Sequence, residues 1–335
     1  MRALTLQTPS NSESLKLVDV PLPSPQKGEV RLKLTSIGLN RGDLLFTQNR
    51  YFIKPAAGSR IGFEGAGIVD AIGPDTTTNL RLGDRVGICP MSFDVGTQGC
   101  LAEYGVYPHN ALIPSPDTLN DYETGSIWMA YFTAWGGLID AGQLIKGETV
   151  VITAASSSVG IAAIQIANMI GATPIATTTS EEKAEVLKSH GAKHVIIQTR
   201  NADAIDHYVN KVRDYTLNKG SDLVFDAVSG PMSHALIKAS KREGRIIIHG
   251  MLDRLPMDIH AGVLMKRLLT LKGYTVDQTL ACEKTKKLAV SSIHKGFENK
   301  QLKTIIADSF SLENYEQAFS YLKSNQHLGK IIITP

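Results

Sequence analysis

Hydrophobic and polar positions follow two different patterns along the chain. Up to about residue 124, short β-rich runs such as Glu29–Ile37 and Gly67–Ile72 are separated by turns rich in proline and glycine, among them Gly83–Val86. This spacing is typical of a compact antiparallel barrel. Residues 1–124 are therefore predicted to form a β domain.

The second pattern alternates strand-like and helix-like segments after a helical stretch at Tyr122–Gly142. The predicted strands are Val150–Ala154, Pro174–Thr178, Val195–Ile197, Leu223–Phe225 and Arg245–His249, and the helices between them include Val159–Ile170 and Glu181–His190. Strands that alternate with helices predict a parallel sheet covered on both faces. The pattern therefore indicates a doubly wound, nucleotide-binding architecture.

The pattern changes again near Leu268. A strand is predicted at Leu268–Val276, a helix at Leu280–Lys295, and a last strand at Gly329–Ile333 that returns to the first domain. The predicted division is a discontinuous domain made of residues 1–124 and 267–335, with residues 125–266 forming the nucleotide-binding domain.

Composition narrows the functional classes. The 335 residues carry a formal net charge of +3, with lysine and arginine scattered along the chain, which gives no reason to expect nucleic-acid or membrane binding. The three cysteines, Cys89, Cys100 and Cys282, do not form a disulfide framework. No charged leader with an apolar block and no bilayer-length apolar run is present, so a cytoplasmic protein is expected.

The sharpest local signal is the run Val150–Gly160, in which a strand passes through small residues straight into a helix. Free N–H groups and the dipole at a helix start attract a pyrophosphate. In the G-x-G-x-x-G frame, however, the chain has Ala155, Ser157 and Gly160, so one glycine remains. A serine-capped helix without a ligand is an equal reading of the turn alone, and the surrounding βαβ pattern favours a dinucleotide.

The end of the second strand bears on the choice of cofactor. An NAD site usually places an acid there, whereas this chain has Thr177–Ser180, followed by Lys183. Hydroxyl groups and a lysine suit a ribose phosphate, so NADPH is favoured. Glu181 and Glu182 weaken the argument, and a solvated lysine is the alternative reading of Lys183.

Several motifs together resemble one family. They are Gly38-Leu39-Asn40-Arg41-Gly42-Asp43, Gly62-Phe63-Glu64-Gly65-Ala66-Gly67, Gly83-Asp84-Arg85-Val86, Thr133-Ala134-Trp135, the Ser158-Val159-Gly160 turn and Gly329-Lys330. The chain resembles the medium-chain dehydrogenase/reductase superfamily, in its zinc-free quinone oxidoreductase (zeta-crystallin-like) branch. The resemblance implies an α/β protein with a GroES-like β-barrel catalytic domain and a Rossmann domain, NADPH as cofactor, and a homodimer.

The resemblance also implies which residues stand at the zinc sites of zinc-dependent relatives. Zinc-dependent relatives carry a cysteine where this chain has Asn40 and a histidine where it has Phe63, and their structural zinc lobe needs four closely spaced cysteines. A phenyl ring offers zinc no ligand. Both zinc sites are therefore predicted to be lost. Without a Lewis acid, hydride addition to a conjugated carbonyl is easier than oxidation of an alcohol.

Related enoyl reductases use a tyrosine at the place of Tyr51 to orient or protonate substrate, which makes Tyr51 and Asn40 the catalytic candidates. A surface aromatic residue and a buried turn residue are the respective alternatives. Asp43 and Glu64 are expected to be structural. Thr133 is expected to contact the cofactor or to cap a helix.

The remaining cofactor-binding residues are those that the resemblance implies, and the last of them also follow strands whose ends line the cleft in doubly wound sheets. Ser157, Ser158 and Val159 are expected at the pyrophosphate, Thr179, Ser180 and Lys183 at the ribose phosphate, and Val228, Ser229, His249, Gly250 and Met251 at later strand ends, with Asn40 and Lys330 completing the set. Where relatives add a tyrosine and an arginine to bind the phosphate, this chain has Gln198 and Asn325, for which Arg200 is a candidate replacement.

The expected function is NADPH-dependent hydride transfer to a quinone or another conjugated carbonyl such as an enone. An enoyl-thioester reductase is a second enzymatic possibility. A nucleotide-binding protein without catalysis, used structurally or as a redox sensor, is a third.

Overall fold

The computed structural model describes residues 1–9, 14–198 and 203–335, so Arg200 lies outside the described residues. The chain forms two compact units. The first unit contains Met1–Met129 and Lys303–Pro335, and the second contains Ala130–Leu302.

The first unit begins with short strands and few helices, as its pattern predicted. The strands are β1 (Arg2–Leu6), β2 (Leu15–Asp19), β3 (Glu29–Leu39), β4 (Ser59–Arg60), β5 (Ala66–Ile72), β6 (Arg85–Ile88), β7 (Tyr104–Pro108) and β8 (Leu112–Pro114), and the helices are α1 (Arg41–Thr47), α2 (Val95–Gln98) and the start of α3 (Asp121–Trp135). In β3 the alternate residues Val30, Leu32 and Leu34 are buried, because successive side chains of a strand point to opposite faces.

The second unit alternates strands and helices after a π-helical turn at Gly136–Ala141. Its elements are β9 (Thr149–Ile152), α4 (Ser158–Met169), β10 (Thr173–Thr178), α5 (Glu181–Ser189), β11 (His194–Ile197), α6 (Ala204–Tyr215), β12 (Ser221–Asp226), α7 (Ser233–Ala239), β13 (Ser240–Ile248), α8 (Ala261–Arg267), β14 (Thr270–Gly273), α9 (Val276–Leu280) and α10 (Glu283–Glu298). The strand order is β11-β10-β9-β12-β13-β14, and all pairs are parallel. This is the predicted doubly wound sheet, with the reversal of strand order between β9 and β12.

The chain ends in the first unit with β15 (Ile306–Ser311), α11 (Tyr315–Ser324) and β16 (Lys330–Thr334). β16 pairs antiparallel with β3, with Ile331 opposite Leu39, and β15 pairs parallel with β16. The larger sheet has the order β15-β16-β3-β5-β6-β8, with β7 also on β3, and a smaller sheet has the order β2-β1-β4. The predicted return of the last strand is confirmed.

The second boundary between the units differs from the predicted one. The sequence analysis placed the return to the first domain at residue 267, but β14 pairs in parallel with β13, with Thr270 opposite Arg245. The α10 helix then packs within the same unit, where the ring of Phe297 lies 4.9 Å from that of Tyr131. Residues up to Leu302 therefore belong to the sheet unit, because the apolar run after Leu268 extends the parallel sheet instead of leaving it.

Candidate active site

The turn between β9 and α4 has the geometry that its small residues predicted. Ser157 is the N-cap of α4, and its hydroxyl accepts a hydrogen bond of 3.1 Å from the N–H of Gly160. A Cβ atom at Gly160 would lie 2.6 Å from the Cα atom of Ala155, so a glycine is needed for the helix to approach the turn. Ala154 takes a left-handed conformation (φ 46°), which directs the chain sharply from the strand into the helix.

These residues fit a dinucleotide pyrophosphate. The N–H groups of Ser158 and Val159 belong to the first turn of α4, where a helix has no internal acceptors for its donors. The helix dipole adds a positive potential at the same place. β9 lies next to the reversal of strand order, which is where open parallel sheets bind nucleotides.

The three residues predicted for a ribose phosphate come together after β10. Ser180 caps α5 by accepting from the N–H of Lys183 at 3.3 Å, and its own N–H donates to the Thr178 hydroxyl at 3.2 Å. Thr179 is exposed, and burial lowers the pKa of Lys183. Gln198 joins them, since its N–H donates to the carbonyl of Thr178 at 2.7 Å.

A buried carboxylate that the sequence analysis missed organises the loop after β12. Asp226 accepts from the Thr153 hydroxyl at 2.7 Å and from the N–H groups of Val228 and Ser229 at 2.9 and 3.1 Å. The Thr153 hydroxyl in turn accepts from the N–H of Ala227 at 2.8 Å. Burial raises the pKa of Asp226. A signal was present in the sequence, because an acid at the end of an apolar strand and before small residues is placed to bind the N–H groups of the next turn.

The loops after β12 and β13 are joined to each other. Ser229 has a left-handed φ of 60°, and its hydroxyl donates to the carbonyl of Gly250 at 2.9 Å. The ring of His249 stacks on Phe225 with 3.8 Å between centroids, and burial lowers the pKa of His249 to about 3. The imidazole is therefore neutral at ordinary pH. Met251 is 66% exposed beside these residues.

In the first unit, Asn40 occupies the centre of a buried polar cluster. Its side-chain N–H groups donate to the carbonyl of Gly38 and to Oε1 of Glu64, both at 3.0 Å, and its Oδ1 accepts from the ammonium of Lys330 at 2.6 Å. Lys330 also forms an ion pair with Glu64, whose other oxygen accepts from the N–H of Met129 at 2.9 Å. The amide of Asn40 is therefore held in one orientation, with both of its protons already used.

Lys330 and Gly38 could not be placed in this cluster from the sequence. The side chain of Lys330 is 2% exposed, and that of Glu64 is 1% exposed. A Cβ atom at Gly38 would lie 2.6 Å from Cε of Lys330 and 2.9 Å from Oε1 of Glu64, so the glycine leaves room for the ion pair. The cofactor contact predicted for Lys330 stays a prediction, and the contacts that its ammonium makes are with Asn40 and Glu64.

Asp43 completes the cluster and is structural in the way expected. Its two carboxylate oxygens accept from the N–H groups of Asn40 at 2.7 Å and Phe63 at 3.1 Å. Burial raises the pKa of Asp43 to about 7 against the lowering effect of these bonds and of Lys330. Two buried carboxyl groups thus share one lysine.

Tyr51 packs against Phe63. Its ring is 4.9 Å from that of Phe63, which also meets Phe46 edge-on at 5.9 Å. The position at which zinc-dependent relatives carry a histidine is therefore filled by a packed ring between two other rings. Tyr51 and Asn40 are brought into the same region through Phe63 and Glu64, which are adjacent in the chain.

The structure excludes one of the two roles expected for Thr133 and shows the partner of Asn325. Thr133 lies in the last turn of α3, so the alternative that it caps the start of a helix is wrong, because α3 begins twelve residues earlier at Asp121. Asn325, at the place of the arginine of relatives, accepts a hydrogen bond from the guanidinium of Arg41, which also donates to the carbonyl of Leu322 at 3.2 Å.

Two features are absent from the described residues, which are 1–9, 14–198 and 203–335. No group of three or more histidine, cysteine or acidic side chains there is arranged to hold a metal ion. Within the same residues, every helix is too short or too polar to cross a bilayer.

Comparison with known families supports the assignment from the fold. Residues 26–117 match the model described as the alcohol dehydrogenase GroES-like domain, and residues 158–293 match the model described as zinc-binding dehydrogenase. The match to the zinc-binding dehydrogenase model begins at residue 158. It therefore does not include Asn40 and Phe63, the positions at which zinc-dependent relatives carry metal ligands. The two matches together cover more than half of the chain, and the chain belongs to the medium-chain dehydrogenase/reductase superfamily.

Similar proteins differ in length and in name. Quinone oxidoreductase of Mus musculus is 28% identical over 335 residues, covering 99% of this chain and 97% of that protein. Acryloyl-coenzyme A reductase of Sulfurisphaera tokodaii is 28% identical over 359 residues, covering 100% of both chains. A mycocerosic acid synthase-like polyketide synthase of Mycolicibacterium smegmatis is 27% identical over 98% of this chain, which spans 15% of that protein.

Solved structures show the same fold. One described as an NAD-dependent alcohol dehydrogenase has a TM-score of 0.90 at 28% identity and full coverage of both chains. Escherichia coli quinone oxidoreductase complexed with NADPH has a TM-score of 0.89 at 19% identity, again with full coverage. The chain therefore shares the two-unit α/β fold of this superfamily. The individual site residues, the homodimer and the cytoplasmic location stay predictions.

Proposed function

We propose that this protein uses NADPH to reduce quinones or other conjugated carbonyl compounds without a metal ion. The observation that carries the proposal is the packing of Phe63, which is held between Phe46 and Tyr51. Its backbone N–H is bound by Asp43. A zinc ion at this place would lack a ligand, so the carbonyl must be activated by conjugation and hydrogen bonds.

The preference for NADPH is supported by the end of β10. The nicotinamide supplies hydride when it is bound, and the protein supplies binding and orientation. The start of α4 would bind the pyrophosphate, and Thr179, Ser180 and Lys183 would bind the ribose phosphate. No carboxylate stands in Thr177–Ser180 to accept hydrogen bonds from ribose hydroxyls.

The phenol of Tyr51 is the proposed proton donor or hydrogen-bond donor to the carbonyl oxygen, on which charge develops as hydride arrives. Asn40 cannot donate a further proton from its amide, because both are bound by Gly38 and Glu64. Its Oδ1 keeps one lone pair beside the bond from Lys330. Asn40 is therefore proposed as an acceptor that orients a bound group.

An enoyl thioester is the second candidate substrate. It is favoured by the full-length similarity to acryloyl-coenzyme A reductase and by the similarity to the polyketide synthase. The chemistry is the same, because an enoyl thioester is also a conjugated carbonyl that takes hydride at its β-carbon.

The test is steady-state oxidation of NADPH and NADH with a panel of quinones, enones and enoyl thioesters, together with measurement of bound metal. We expect turnover of quinones or enones, a higher kcat/KM with NADPH, and no stoichiometric zinc. In the Tyr51→Phe variant, kcat should fall by about 10²-fold, because general acid catalysis contributes at least that factor.

Phe52→Leu is the matched control, since Phe52 is 76% exposed beside Tyr51 and carries no hydroxyl. Faster turnover of enoyl thioesters than of every quinone would assign the second candidate instead. Cofactor binding without turnover of any acceptor would support the non-catalytic reading, and stoichiometric zinc would overturn the metal-free proposal.

A further inference from the structure

A concave site lies on the sheet unit, at the opposite edge of the parallel sheet from the serine turn. It is a cavity of about 390 Å³ where β12 and β13 begin and where α6, α7 and α8 end. Its charged and amide-bearing lining consists of Arg213, Asn218, Lys219, Lys241, Arg242 and Arg267. Nothing in the proposed oxidoreductase reaction uses this edge.

Local backbone features bring these side chains together. In the pairing of β12 with β13, Ser221 is opposite Ser240 but Leu223 is opposite Arg245, so Asp222 faces a bulge of four residues that contains Lys241 and Arg242. On the other wall, Leu217 and Asn218 both have left-handed φ values, of 50° and 65°, in the turn that follows α6. Such backbone conformations are uncommon for non-glycine residues.

The wall has an excess of positive charge. Five cationic side chains line it, and none of its lining residues is acidic. Two carboxylates outside the lining offset part of the charge, since Asp222 pairs with Lys241, and Glu243 lies 3.7 Å from Arg242. The remaining excess is about three positive charges.

Some of this charge has a structural use. Arg267 donates to the carbonyls of Lys238 and Ser240, and Arg242 donates to the carbonyl of Lys266, so both guanidinium groups bind the ends of helices. Among the described residues, Arg213 and Lys219 have no ion-pair partner. Burial and the neighbouring charge of Arg213 lower the pKa of Arg267, as expected where two like charges face each other.

We infer that this cavity binds a small phosphorylated molecule through Arg213, Lys219 and the exposed part of the Lys241–Arg242 bulge. A phosphate or diphosphate group matches cationic side chains that converge in a concavity, because guanidinium groups bind phosphate oxygens in pairs. The volume of about 390 Å³ is within the range of sites that bind small ligands.

The test is calorimetric titration of the full chain with inorganic pyrophosphate, in the presence of saturating NADPH to occupy the serine turn. We expect saturable binding in the wild type and a Kd at least about tenfold higher in the Arg213→Gln/Lys219→Gln variant, equivalent to about 1.4 kcal/mol. The Kd should also rise with ionic strength.

The matched control is Lys284→Gln/Lys287→Gln, which removes two exposed positive charges from α10. Equal Kd values for the wild type and the Arg213→Gln/Lys219→Gln variant, or an equal loss in the control variant, would overturn the inference. If the chain binds no NADPH, the proposed function fails, but the comparison of the two variants still reports on this cavity. Thermal unfolding of both variants shows whether a loss of binding reflects a loss of folding.

Discussion

The serine turn and the cluster around Asn40 are polar centres built in opposite ways. The turn uses residues within Thr149–Gly160, and its donors are backbone N–H groups that carry no net charge. The cluster joins Asn40 to Glu64 and to Lys330, which is 290 positions away in the chain, and it is charged and buried. A contiguous site depends on local backbone geometry, whereas a distributed site depends on the fold that assembles it.

This difference has an energetic consequence. Removing one partner of a buried ion pair leaves an uncompensated charge away from water, which lowers the free energy of unfolding strongly. Altering the start of a helix displaces a few atoms and lowers it less. The cluster should therefore govern stability more than cofactor binding, and the serine turn should do the reverse. Four predictions, which use five single substitutions, test this contrast.

The largest effect is expected for Lys330→Met, which removes the partner of Glu64. The free energy of unfolding should fall by about 3–5 kcal/mol, because Glu64 remains buried without its cation. Unfolding in urea measures the change. Adding Glu64→Gln to this variant should restore part of the loss, and Lys33→Met, at an exposed position of β3, should cost less than about 0.5 kcal/mol. A similar loss at both lysines would break the comparison.

The pH dependence of stability should differ in sign between the two units. The folded pKa of Asp43 is about 7 against an ordinary value of 3.8, so the folded state holds a proton that the unfolded chain has released, and stability falls as pH rises from about 4 to 7. The folded pKa of His249 is about 3 against 6.5, so stability rises with pH between those values. Each contribution is on the order of a few kcal/mol.

Asp43→Asn should therefore make the change in stability between pH 4.5 and 6.5 more positive, and His249→Phe, which keeps a ring against Phe225, should make it more negative. Urea unfolding at several pH values measures both slopes. Shifts of the same sign in the two variants would contradict the assignment.

A smaller effect on stability is expected for Gly160→Ala. The added Cβ would lie 2.6 Å from Ala155, so α4 must move, at a cost of about 1–3 kcal/mol. The Kd for NADPH should rise more than in Lys330→Met, because the displaced N–H groups are the proposed phosphate donors. Gly273→Ala is the control, since nothing lies within 4 Å of its Cβ position. Unchanged NADPH binding in Gly160→Ala would remove the turn from the cofactor site.

The smallest effect is expected for Lys183→Ala, which sharpens the assignment of NADPH. Loss of one half-exposed cation near a phosphate should lower the ratio of kcat/KM for NADPH to that for NADH by roughly tenfold, or about 1.4 kcal/mol. Lys188→Ala on the same helix, where the lysine pairs with Glu185, should leave the ratio unchanged. If the ratio is unchanged in both variants, Lys183 does not bind the ribose phosphate, and any preference for NADPH would depend on Thr179 and Ser180.

Local pattern predicted most of the sheet unit. The strands β9, β10 and β12 and the helices α4 and α5 were found within a few residues, because buried parallel strands and amphipathic helices leave strong signals over short windows. The apolar run after Leu268 predicts a strand, but its pattern does not indicate the strand with which it pairs. The prediction that it returns to the first domain is therefore wrong. Only hydrogen bonding to β13 decides that β14 belongs to the parallel sheet.

The sequence by itself determined the serine turn and the two-domain plan, because each depends on residue type and on neighbours a few positions away. Tertiary structure alone decided that Lys330 meets Asn40 and Glu64, that Asp226 binds the loop after β12, and that Arg213 faces Arg267 across a cavity. Such pairings depend on which strands lie side by side. The order of residues along the chain does not give the distance between residues that are far apart in sequence.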